Sequence, residues 1–160
     1  MTINRTSRRE LLALGGVGAL ATLTSGALAD DAEPNPIEAG NEKLVNDFCA
    51  AWATLDLPTL SGYLAEDVVY QIFEGMPLIE GREAFEQRLQ PFLADVERAE
   101  WEILRSHAIG NLVINERIDH FYRKDDKPAM HFSVAGFFLV KSGNIQVWKD
   151  YGMPKQEGDD

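Results

Sequence analysis

Between Glu42 and Leu55 the apolar residues Leu44, Val45, Phe48, Cys49, Trp52 and Leu55 recur three or four apart. That spacing predicts an amphipathic helix with a single buried stripe. A second, short helix is expected near Pro58, a residue suited to a first helical turn. It would bury Leu60 and Leu64, with Tyr63 beside them. Val68–Ile72 is rich in β-branched residues and reads as a strand, broken by Glu74-Gly75-Met76-Pro77. A third helix follows Gly81, with Phe85, Leu89 and Phe92 on its inner face and Pro91 ending or kinking it.

Beyond Ala99 the pattern changes to longer runs suited to an antiparallel meander. Strands are predicted over Trp101–Ile109, Leu112–Tyr122, Ala129–Lys141 and Ile145–Tyr151. Between them lie Gly110-Asn111, the polar loop Lys124–Pro128 and Ser142-Gly143-Asn144. Helices first and hairpins afterwards imply an α+β fold, with the helices packed on one face of a curved sheet. Residues 42–153 make one domain. Residues 30–41, with Pro34 and Pro36, read as a flexible leader, and Pro154–Asp160 as a loose polar tail.

The first 29 residues follow a different logic. Arg5, Arg8 and Arg9 form a basic start, and Leu11–Leu23 is mildly apolar, softened by Gly15, Gly16, Gly18 and Thr22. Ala27-Leu28-Ala29 gives the small-x-small pattern of a signal-peptidase site, which places the mature start at Asp30. Ser7-Arg8-Arg9-Glu10-Leu11-Leu12 resembles the twin-arginine export motif. The expectation is a folded protein exported to the periplasm or secreted, with no membrane attachment after cleavage.

Composition narrows the chemistry. With 45% apolar and 26% charged residues among 160, disordered and fibrous classes drop out. The formal charge is −11, and loss of residues 1–29 leaves 12 basic against 25 acidic side chains. Such a surface repels phosphate backbones and anionic lipid, so no nucleic acid and no membrane is expected as a partner. A single cysteine, Cys49, excludes an internal disulfide and a multi-cysteine metal site. It sits in the apolar stripe of the first helix and reads as a core residue. His107, His120 and His131 show no metal-ligand spacing, and His120 falls on the strand face opposite Asp119.

Candidate chemistry lies where charge falls on a face that should be buried. In the strand predicted over Leu112–Tyr122, a period of two puts Val113, Asn115, Arg117, Asp119 and Phe121 on one face. In the last strand Trp148 and Asp150 share a face. Folded into one concave sheet, the two strands bring an Asp–Arg–Asp group into a pocket. On an exposed edge the same residues would make ordinary ion pairs, and spacing alone leaves both arrangements open. Inside a pocket, two neighbouring acids resist ionising together, so one can serve as base while the other keeps its proton.

Short stretches across residues 44–151 carry a family resemblance. They are Tyr63-Leu64-Ala65-Glu66-Asp67, Tyr70-Gln71, Met76-Pro77-Leu78, Gly81-Arg82, Glu116-Arg117-Ile118-Asp119, Phe132-Ser133 with Gly136, and Trp148-Lys149-Asp150-Tyr151. In this order they resemble the limonene-1,2-epoxide hydrolase family, within the nuclear transport factor 2-like superfamily. The resemblance implies a mixed, largely antiparallel sheet forming a cone-shaped pocket, and often a homodimer. It implies hydrolysis in one step, without a covalent intermediate or a cofactor. Asp150 would be the general base acting on water, Asp119 the acid at the epoxide oxygen, and Arg117 the bridge between them. Tyr70 matches a tyrosine that helps to hold the water, and Phe121 and Trp148 would line a pocket for a small apolar substrate.

One position departs from the family pattern. The second water-holding group, an asparagine two residues after the tyrosine, is Ile72 here. Gln71 points to the other face and cannot replace it; Asn115, one strand step from Arg117, is the candidate compensating amide. Two other classes of function fit the same pocket. One is a small-molecule binding protein without turnover, and the other an isomerase like ketosteroid isomerase, which moves a proton within its substrate and consumes no water.

Overall fold

The computed structural model describes residues 35–153. The export pattern of residues 1–29, the first part of the leader and the tail 154–160 lie outside the described residues. Helix α1 spans Pro36–Ala51 and starts earlier than its apolar stripe. The leader reading is therefore corrected from Pro36 onward. Pro36 suits the first helical turn, and the Asn35 side chain caps it by accepting from Ile37 N at 3.0 Å. Glu38 accepts from Gly110 N at 2.7 Å and Asn41 donates to Gly110 O at 2.9 Å, anchoring these first turns without any buried stripe.

A 3₁₀ turn, Trp52–Thr54, leads to α2 over Leu57–Gly62, capped by Asp56. Strand β1 runs Leu64–Gln71, so Leu64 is buried as the first strand residue and not on the helix. A two-residue strand, β2 (Ile79–Glu80), precedes α3 (Arg82–Asp95). Pro91 neither ends nor visibly divides α3 in secondary structure. It removes one backbone donor, but Leu93 is buried and Phe92 packs on Phe121 at 5.0 Å, which holds the final turn in place.

The remaining strands are β3 (Val96–Ile109), β4 (Leu112–Arg123), β5 (Met130–Lys141) and β6 (Asn144–Gly152). They join β1 and β2 in one sheet of order β2-β1-β6-β5-β4-β3. Every pairing is antiparallel except β1 with β6, which is parallel and makes the sheet mixed. The fold is α+β, with the helices on one face of this six-stranded sheet. Phe48 of α1 is fully buried against Trp148 (5.1 Å between centroids), Trp101 (6.2 Å) and Phe138 (6.3 Å). This aromatic core backs the site described next.

Candidate active site

Along β4 the alternation is complete: Val113, Asn115, Arg117, Asp119 and Phe121 are all buried, and their neighbours are half-buried. A buried arginine requires partners, because desolvating its charge is costly. Arg117 Nε donates to Asp119 Oδ1 at 2.8 Å and Nη2 to Asp119 Oδ2 at 3.2 Å, a two-pronged pair along one strand. The same Nη2 donates to Asp150 Oδ2 at 2.8 Å. Nη1 donates to Asn115 Oδ1 at 3.0 Å. The guanidinium also lies over the Trp101 ring, 4.3 Å from its centroid. Arg117 itself is 0% exposed, and Asp119 and Asp150 are each 5% exposed.

The register explains how residues from β4 and β6 meet across β5. Asn115 pairs with Gly136, and Gly136 pairs with Asp150. A Cβ on Gly136 would stand 2.2 Å from Arg117 Nη1 and 2.6 Å from Asn115 Oδ1. Only a glycine leaves the guanidinium room to cross the intervening strand. Sequence reasoning gave Gly136 no role, although an isolated glycine within a β-branched and aromatic strand is the signal for a close approach.

Asp150 has a second donor. Trp148 Nε1 donates to Asp150 Oδ1 at 2.8 Å. Trp148 was expected on the pocket wall, and this is corrected: it is fully buried, stacked beneath Tyr70 (3.9 Å) and against Phe138 (5.8 Å). The parallel register of β1 on β6 sets Tyr70 beside Trp148 and so covers the indole. Asn115 does not face the cavity either. Its amide nitrogen lies 3.4 Å from Cys49 Sγ and its oxygen is taken by Arg117, so it is no substitute for the family's water-holding amide.

Burial acts on both acids. It pushes Asp119 up to about 7, with Arg117 opposing the shift and Asp150 reinforcing it. Burial raises Asp150 as well, while Arg117 and the Trp148 N–H pull it down. For Arg117 burial opposes the charge, and the attraction of Asp150 and Asp119 outweighs it, so the guanidinium stays protonated. One cation between two carboxylates leaves a surplus negative charge. A single proton on the acid pair makes the buried cluster neutral. Cys49, pushed up to about 12 chiefly by burial, stays a thiol and a core residue.

A cavity of about 530 Å³ opens onto this cluster. Asp119, Asp150, Tyr70, Ile72 and Phe121 all reach its wall, together with Trp52, Trp101 and Phe132. Tyr70 is 4% exposed, and burial followed by the nearby Asp150 charge raises its hydroxyl well above the ordinary range, so it remains a neutral donor. Ile72 follows the end of β1, whereas Gln71 turns away and donates to Met76 O at 2.9 Å. The histidines lie elsewhere. His120 and His131 pair across β4 and β5 on the outer face, with Nδ1 atoms 2.7 Å apart, and His107 is exposed.

Comparison with known proteins places this geometry. Residues 39–153 match the family model of the limonene-1,2-epoxide hydrolase catalytic domain (LEH). Among solved structures the chain is similar to an LEH-like epoxide hydrolase from M. tuberculosis. The two are 29% identical over 74% of this chain and 86% of that one, with a TM-score of 0.65. A protein of ketosteroid isomerase-like fold from Catenulispora acidiphila is 20% identical over 68% of this chain and 84% of its own, with a TM-score of 0.60. A nuclear transport factor 2-like protein from Burkholderia pseudomallei is 12% identical over 71% and 91%, with a TM-score of 0.62. These last two share the fold alone. The family model spans all six strands and every member of the Arg117 cluster, and the chain belongs to the limonene-1,2-epoxide hydrolase family.

Proposed function

We propose that this chain is an exported epoxide hydrolase that adds water to a small apolar epoxide in one step. The observation that carries the reading is the pair of buried carboxylates held by one guanidinium at the wall of an apolar cavity. Asp150 takes a proton from water, and the water oxygen attacks one ring carbon. The carbon–oxygen bond of the ring breaks and its electron pair goes to the epoxide oxygen, which receives the proton of Asp119. The pair is left with its proton moved from one acid to the other, and exchange with solvent resets it. Each carboxyl oxygen that accepts from Arg117 or Trp148 keeps a second lone pair for this work. Tyr70, neutral and on the same wall, is placed to hold the water. The basic start, weakly apolar core and Ala27-Leu28-Ala29 site of residues 1–29 support export.

Incubation with a panel of apolar epoxides in oxygen-18 water tests the reading. Diol carrying the label is expected, and Asp150→Asn and Asp119→Asn should each lower kcat by about 10²–10⁴ without loss of the folded state. Rearranged product without label would replace hydrolysis with isomerisation. Tight binding without turnover would make the cavity a binding site. Full activity in Asp150→Asn would overturn the mechanism.

A further inference from the structure

The same cavity carries a charge that hydrolysis does not use. Arg88, on α3, lines the cavity yet is exposed to solvent, whereas Asp119 and Asp150 are each only 5% exposed. The cation therefore stands where the cavity meets water, and the acids stand at its inner end. Two other arginines belong to the same region, and both have carboxylate partners. Arg117 is held by Asp119 and Asp150, and Arg123 pairs with Asp95 at 2.6 Å, a carboxylate that Lys127 also contacts.

Arg88 has no such partner. On a helix, the neighbours able to pair with a side chain stand three and four residues away. For Arg88 these are Ala84, Phe85, Pro91 and Phe92, none of them acidic. Among the described residues it enters no ion pair. Much of the cavity wall is apolar, including Ile72, Phe73, Leu89, Met130 and Phe132. In a chain of net charge −11, a guanidinium without an ion-pair partner at the mouth of a greasy cavity favours an anion.

We infer that the ligand of this cavity is an amphiphilic monocarboxylate, with an apolar body in the cavity and its carboxylate paired to Arg88 at the mouth. The inference rests on the hydrolase reading only for the reacting group: the epoxide would lie at the end remote from the carboxylate, against Asp119 and Asp150. One guanidinium matches one carboxylate in charge and in fork geometry.

Two measurements test this separately from hydrolysis. Binding of decanoate and of decan-1-ol, followed by quenching of tryptophan fluorescence at pH 8, compares a carboxylate with a neutral chain of equal length. Arg88→Gln should weaken decanoate by roughly three- to tenfold and alter decanol far less, and added salt should erode the same preference. Arg88→Lys should restore part of it. Equal weakening of both ligands, or of neither, would overturn the inference. The second measurement uses 10,11-epoxyundecanoate and its methyl ester as substrates. The ratio of their kcat/KM values should fall in Arg88→Gln by a similar factor, and an unchanged ratio would also overturn it. Hydrolysis of neither epoxide by the wild type, together with no labelled diol from the apolar panel, would remove the hydrolase reading, while decanoate binding would still decide the role of Arg88.

Discussion

Gly136 lies beneath the guanidinium of Arg117, in the strand between the two that carry the acids. A methyl group there would stand 2.2 Å from Nη1. Arg117 cannot move aside cheaply, since its nitrogens are committed to Asn115, Asp119 and Asp150 and its plane to Trp101. Gly136→Ala should therefore do more than crowd the core. We expect destabilisation of about 2–4 kcal/mol in urea unfolding, above ordinary overpacking because a buried charge loses its partners. Activity should fall at least tenfold. A variant as stable and as active as the wild type would show that the cluster tolerates another geometry.

The pH dependence follows from Asp119. As the acid it must hold a proton, and burial has pushed it up to about 7. Activity should decline as pH rises through about 7. Stability has the same sign. Unfolded, the carboxyl titrates near 4, so the native chain binds the extra proton between about 4 and about 7. The stability this contributes is fully present below the unfolded value and is lost as pH rises through about 7. Between pH 5 and pH 8 the wild type should lose roughly 5 °C or more in Tm relative to Asp119→Asn, which cannot titrate. Parallel curves for the two proteins would mean that Asp119 keeps an ordinary carboxylate value.

Trp148 tunes the other acid. Its N–H bond to Asp150 lowers the carboxyl, working with Arg117 against burial. Trp148→Phe keeps an aromatic ring between Tyr70 and Phe138 but removes the donor. The low-pH limb of the activity profile should move up, narrowing the active range from the acid side. A fall in kcat with no movement of that limb would assign Trp148 a packing role alone.

These residues also show where a sequence speaks and where it stops. The period of two along Val113–Phe121 placed Arg117 and Asp119 on one face with Val113 and Phe121, and the same rule put Asp150 beside Trp148. Both are local patterns. That Arg117 reaches Asp150 depends on the register of three strands and on the missing side chain at Gly136, which no single strand reveals. The family resemblance put Trp148 on the pocket wall, but the parallel pairing of β1 with β6 laid Tyr70 over it. Strand β2 has two residues and exists only through its partner. The first turns of α1 carry an exposed Ile37 and no stripe, and they are held by bonds to Gly110 about 70 residues away. Local pattern was legible; contacts made by distant chain were not.

Ile72 offers the sharpest test of how the water is held. It stands on the cavity wall near Tyr70, at the place where the family pattern puts an amide, and the other candidate amides are occupied. Gln71 bonds to Met76 and Asn115 to Arg117. On the proposed mechanism the water has Tyr70 and Asp150 as partners and lacks a third. Ile72→Asn supplies one on a wall that is only half-buried, at a cost of about 1 kcal/mol in stability. A recovered hydrogen bond of about 1 kcal/mol in the transition state raises kcat about fivefold. The gain should appear in kcat, since the added amide acts on the water. It should also vanish in the Asp150→Asn background, where no base uses that water. A gain confined to KM would place the new amide on the substrate, and an unchanged kcat would mean that two partners already hold the water in position.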